Sequence, residues 1–367
     1  MFLKTKAGAG LFGWLLFATA PSAAQVVRAV PEAPSCRGCR IELEPVITLT
    51  DTEPHWFGRM FSATSDSRGR LHGSDWGVDP GVVHVLGADG AWLASYGRQG
   101  RGPGEGIGVT APFFGPGDTA FVYDLRLSRF TIWSPRFELV RSFRVSGQVI
   151  DAVVQRAEAM TLSARLAEAP GLPLHVIDTR DGSIIRSFGP RQPPDAPPQR
   201  ASRRLAASRM SGSFWAARLT EYVIERWDTS GRLLLQLKRT VSWFPPNVEP
   251  RGDGPPSPAI TAIWEDERGP IWVMIVVADQ NWQRNHDRLR RMQTGPEVLI
   301  QPADQHGLGD TVLEVIDPAT GALLASRRLD PAFFSRAGGL LFRYTEGVHG
   351  TPSYELFRPR LTGYEPH

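Results

Sequence analysis

The stretch Val82-Val83-His84-Val85-Leu86-Gly87-Ala88-Asp89-Gly90-Ala91-Trp92-Leu93-Ala94-Ser95-Tyr96 reads as a β-hairpin. Two strand-like runs flank Ala88-Asp89-Gly90, where Asp and Gly admit the positive-φ backbone of a tight turn. The device returns down the chain. Leu174–Ile177 passes through Thr179-Arg180-Asp181-Gly182 into Ser183–Phe188, and Tyr222–Trp227 through Thr229-Ser230-Gly231 into Arg232–Leu237. Val312–Ile316 passes through Pro318-Ala319-Thr320-Gly321 into Ala322–Arg327. A version without Gly turns at Ser134-Pro135-Arg136. The turn centres fall near 90, 136, 181, 230 and 320; the first four are 45 to 49 apart and the last gap is 90. A period of about 40–50 residues is the signature of four-stranded propeller blades.

An inner turn repeats as well. Asp66-Ser67-Arg68-Gly69 and Asp266-Glu267-Arg268-Gly269 share Asp-x-Arg-Gly and join the first two strands of blades one and five. The blades fall near 59–97, 109–145, 148–189, 203–240, 259–329 and 332–361. The last offers about three strands, and Ile41–Leu49 supplies its outer one. The expected fold is an all-β, six-bladed β-propeller of four-stranded antiparallel blades over residues 41–364. An N-terminal strand closes the ring and hides sheet edges. An insertion at about 280–309 widens blade five, with one or two helical turns in Asn285–Met292. Irregular links, Gln192–Pro198 followed by Arg200, Arg203 and Arg204, and Phe244–Pro258, place loops on the rim, where binding usually resides.

Residues 1–24 read as a secretory signal peptide: Lys4 and Lys6, the apolar run Leu11–Ala18, then Ser22-Ala23-Ala24. The run is shorter than the roughly 20 residues that span a bilayer, and no later stretch is long and apolar enough. The expected mature chain is exported, to the periplasm or beyond, with no membrane span. The whole chain carries 41 Lys plus Arg against 38 Asp plus Glu. Removing the signal takes two lysines and leaves 39 against 38, so charge gives no reason to expect a nucleic-acid partner.

The run Gly97-Arg98-Gln99-Gly100-Arg101-Gly102-Pro103-Gly104-Glu105 precedes Pro112, Phe121-Val122-Tyr123-Asp124 and Arg129-Phe130-Thr131-Ile132. This pattern resembles the NHL-repeat class, and more closely the bacterial exported six-bladed propellers with a G-x-G-x-G-P-G-E lead. The resemblance is strong over residues 97–133; the Asn usual between the Asp and the Arg is absent. It implies a propeller and no particular reaction.

The Gly-rich run is read as a blade-to-blade connection. A phosphate loop needs inward N–H groups ahead of a helix, but Pro103 removes a donor and a strand follows. Asp124 and Arg129 flank a strand-to-strand loop, where Asp caps a turn and Arg can pair with it. Asp75 and Asp279 occupy similar positions, which favours a repeated structural role. Cys36 and Cys39, in the 25–40 segment, read as a disulfide, because no further Cys or close His pair completes a zinc site. The eight histidines are scattered and read as surface or turn residues. Only three Asn are present, which argues against the calcium cage of propeller lactonases, although Asp is an equally hard ligand. Trp133, Trp215, Trp227, Trp264 and Trp272 are expected to pack between blades. Trp56, Trp76, Trp243 and Trp282 fall in loops or at strand ends.

No catalytic constellation, metal set or cofactor motif stands out. The favoured expectation is a binding or scaffold module for a protein, peptide or glycan. Its contact candidates are Arg98, Arg101, Asp124, Asp279, Trp282 and the Arg200–Arg204 segment. The alternative is a lactonase-like metal-dependent hydrolase or lyase with its site at the propeller axis.

Overall fold

The computed structural model describes residues 26–50, 58, 61–75, 77–193, 196–247, 254–292, 308–335, 339–346 and 351–365. The expected signal peptide lies outside them, as do His55, Trp56, Trp76, His306, His349 and His367. Six separate sheets follow one another along the chain. Blade one is built from Phe61–Ser65, Leu71–Asp75, Val82–Leu86 and Trp92–Gln99, and blade two from Phe113–Phe114, Ala120–Asp124, Arg129–Trp133 and Leu139–Arg144. Blade three comprises Gly147–Arg156, Ala159–Leu166, Leu174–Asp178 and Ile184–Phe188. Blade four comprises Arg203–Ala207, Ser213–Arg218, Val223–Asp228 and Leu233–Arg239. Blade five comprises Ala259–Glu265, Ile271–Ala278, Gly309–Ile316 and Leu323–Leu329.

Blade six closes the ring. Its Leu341–Glu346 and Pro352–Thr362 are joined on the outer side by Arg40–Thr50, antiparallel, with Ile41 opposite Leu361 and Leu49 opposite Tyr354. A bridge between Phe334 and Phe342 marks its innermost strand. The strand expected at Ile41–Leu49 is therefore present and outermost.

Each blade is covered on both faces by its neighbours, so its central strands lose the alternation of a half-exposed strand. Gly309–Ile316 is buried at every position. The outer strand Leu139–Arg144, by contrast, is mostly accessible. Among the described residues the apolar core divides into six clusters, one per blade junction. Trp133, Trp215, Trp227 and Trp272 are buried in these junctions, and Trp264 stacks on Trp272 at 5.5 Å.

Two features depart from expectation. Val26–Val30 adds a fifth, parallel strand to the outer edge of blade four, with Val26 opposite Leu235 and Val30 opposite Arg239. The chain then crosses blade five, where Ser35 N–H donates to Leu323 O at 2.9 Å, and enters blade six past a Cys36–Cys39 disulfide. One N-terminal strap thus spans three blades. Secondly, His72 and His175 are core residues rather than surface ones, 2% and 0% exposed. They sit on second and third strands, whose side chains face neighbouring blades. Each ring nitrogen finds a partner: Tyr96 Oη and Asp66 for His72, Ser187 Oγ and Ala164 O for His175. Burial lowers both pKa values.

Because adjacent strands are antiparallel, the second-to-third-strand loops and the inter-blade connections leave one face of the ring, here the upper. The first-to-second and third-to-fourth turns leave the lower face.

Candidate functional site

Aspartates on the lower face cap turns. Asp66 and Asp266 accept backbone N–H groups from Arg68 and Arg268 two residues on, which explains the repeated Asp. Asp178, Asp228 and Asp317 do the same at third-to-fourth-strand turns, through the N–H groups of Arg180, Ser230 and Ala319. The upper-face trio expected to share a structural role also shares a geometry. Asp75, Asp124 and Asp279 accept from the N–H groups of Gly77, Arg126 and Asn281, at 2.9, 2.9 and 2.5 Å.

The Gly-rich run connects blades one and two and is occupied with itself. Glu105–Gly106 pairs parallel with Arg98–Gln99. Glu105 accepts from Gly102 N–H at 2.7 Å and from Arg98 Nε at 2.9 Å, and these bonds hold its carboxyl below the usual range. Asp124 ties the run down through Ile107 N–H at 2.7 Å. Arg129 does not pair with Asp124 through its side chain. It donates instead to the carbonyls of Arg101 (3.0 Å) and Glu105. Arg101 lies in this connection, Arg98 in the strand that leads into it, and Asp124 at the strand end that ties it down.

Of the Arg200–Arg204 segment, Arg203 is fully buried. It donates to the carbonyls of Arg200 and Ser202 and lies 3.8 Å from buried Glu225, which Arg218 also pairs at 2.7 Å. It serves as a core ion pair rather than a contact surface.

A cleft of about 650 Å³ opens on the upper face between blades four and five. Its floor is the buried Glu314 carboxylate, which accepts from Tyr222 Oη, an Arg239 guanidinium nitrogen and Ser326 Oγ (3.0 Å). Arg239 lies over the rings of Tyr222 and Trp243, at 5.4 and 5.7 Å. Burial lowers the Arg239 pKa and raises that of Tyr222. Trp243, partly exposed, and prolines of the blade-linking segment form one wall. Val277, Ala278 and Val312 form the other, and Glu32 and Pro34 of the N-terminal strap form the outer lip. Arg239 fixes that lip by donating to Glu32 O at 2.8 Å.

At the edge of this cleft Arg328 reaches Asp310 Oδ2 at 2.6 Å and Ala278 O at 2.8 Å. Asp310 is the second residue of the third strand of blade five, Asp279 follows the second strand, and Asp330 follows the fourth. One carboxylate oxygen of each lies within 4.8 Å of the others. Burial raises the Asp310 pKa; Arg328 pulls it back, and repulsion from Asp279 and Asp330 adds to the rise. Trp282 opens the helix Trp282–Met292, longer than the one or two turns expected, and its N–H donates to Asp279 O at 3.2 Å. Of the expected contact residues, Asp279 and Trp282 come together here, whereas Arg98, Arg101 and Asp124 do not. Among the described residues this is the one group of three such ligating side chains, and it lies over the outer three strands of a blade rather than at the axis. A second cleft of about 650 Å³, on the lower side between blades five and six, is lined by Trp264, Asp266, Arg268 and Arg358.

Comparison with solved structures shows the fold. A protein of Bacteroides fragilis named as a candidate for export superposes with a TM-score of 0.57 at 10% identity, over 92% of this chain and all of that one. A member of the DUF4221 family from Bacteroides vulgatus gives 0.58 at 10% identity, over 87% and 98%. No family model matches the sequence, and no curated protein does. The NHL-like pattern therefore rests on residues 97–133 themselves. No described helix is long and apolar enough to cross a membrane.

Proposed function

We propose that this protein is an exported ligand-binding propeller whose ligand, a glycan, seats in the upper-face cleft between blades four and five. One observation carries the reading: a partly exposed Trp243 and a buried, immobilised Arg239–Glu314–Tyr222 network share one concave surface. An indole face stacks on the apolar side of a sugar ring, while fixed polar groups orient its hydroxyls. Export is supported by the signal-like residues 1–24, by the disulfide, and by the name of the Bacteroides fragilis neighbour. The NHL-like lead belongs to the scaffold in this reading, where it links two blades.

A panel of mono- and oligosaccharides, screened by thermal shift and protein-observed NMR, tests it. We expect binding that Trp243→Ala weakens at least about tenfold while circular dichroism stays that of the parent, a loss of about 1.4 kcal/mol. Absence of sugar binding, or sugar binding unchanged in Trp243→Ala, would overturn it.

A further inference from the structure

We propose that Asp279, Asp310 and Asp330 bind a divalent cation, calcium, where three strands of blade five end together on the upper face. Two independent observations carry this. The first is geometric: three carboxylates from three successive strand ends approach within 4.8 Å, and Arg328 pairs with one of them. Arg328 pairs with Asp310 through Oδ2 only.

The second is an orphaned atom. Asp310 is 3% exposed, yet its Oδ1 has no hydrogen-bond partner. A carboxylate oxygen removed from water without a donor is unfavourable, so native proteins rarely keep one unless water or a bound ion completes it. A hard cation is the ligand a carboxylate flanked by two further carboxylates would take.

The arrangement suits calcium over magnesium. Asp330 is exposed, Asp279 half-buried and Asp310 buried, so the site grades from protein to solvent. That leaves one side for water ligands and imposes no fixed octahedron. Calcium tolerates such irregular oxygen shells, whereas magnesium demands near-ideal octahedral geometry. Asp279 keeps its turn-capping bond to Asn281 N–H, because a carboxylate has lone pairs for both tasks. The site neighbours the proposed sugar cleft but uses none of Trp243, Arg239 or Glu314, so it stands whether or not sugar binds.

Terbium luminescence, excited through tryptophan, and isothermal calcium titration of the EDTA-treated mature chain test it. Calcium should bind with Kd no weaker than ~1 mM, the range of extracellular modules, and displace terbium. Asp310→Asn should weaken binding at least tenfold. Asp330→Asn, at an exposed position that leaves the fold undisturbed, should weaken it several-fold, with circular dichroism unchanged in both. No calcium binding at ~10 mM, well past that range, or parental binding in both variants, would overturn the site.

Discussion

Gly81 shows how little slack the blade-one connection has. A Cβ on it would lie 2.5 Å from the carbonyl oxygens of both Arg98 and Gly106. Both are backbone atoms and cannot swing aside. Gly81→Ala is expected to destabilise by about 1–3 kcal/mol, read as a lower urea midpoint at unchanged slope. An unchanged midpoint would mean that the loop yields to an added methyl group. Single residues were unevenly legible in the sequence. Asp279 stands at a position that repeats between blades, so its turn-capping role could be read beside Asp75 and Asp124. Asp310 and Asp330 could not be attached to it, because an insertion of about thirty residues separates Asp279 from Asp310 along the chain and only sheet register rejoins them. Arg239, Glu314 and Tyr222 were equally hidden. A charged residue inside a strand reads as solvent-facing until the neighbouring blade is known to cover it.

At the scale of elements, the turns were the legible part, since Gly and Asp leave a local chemical trace. Their energetics are accessible through pH. The Arg180 side chain and backbone N–H hold the Asp178 carboxyl down from 3.8 to about 2. Asp228 is also lowered: burial opposes the shift, but bonds from Ser230 and Arg232 outweigh it. A carboxyl whose folded pKa lies below its unfolded value stabilises the fold above the unfolded pKa. That contribution disappears as pH falls from about 3.8 through 2 for Asp178. Asp178→Asn should therefore have a urea midpoint that falls less than the parent's between pH 4 and pH 2. Parallel declines would show that the cap is not coupled to folding. The parallel strand Val26–Val30 was not legible. Five residues on an outer edge, with Val26 and Val27 exposed, carry no periodicity that marks a partner.

For the whole molecule, period and closure were both legible, because each blade repeats a hairpin and the sixth visibly lacks a strand. The two N-terminal strands, however, do different work. Arg40–Thr50 pairs along its length with Pro352–Thr362 and contributes Ile41 and Leu49 to two blade junctions. Deleting residues 41–49 is expected to melt the entire ring cooperatively at lower temperature. Deleting residues 26–30, which lie outside a complete four-stranded blade, should lower the melting temperature far less. Equal effects would contradict closure by the second strand. The same strap reaches the upper face, since Glu32 and Pro34 lip the cleft. Ring closure and the lip of the cleft therefore share one segment. The direct test of where this ring holds its ligand is a crystal structure grown with the tightest-binding sugar of the panel. The predicted result is a sugar ring stacked on Trp243, with its hydroxyls facing Arg239 and Ser326. A sugar bound at the propeller axis, with the cleft between blades four and five empty, would contradict it.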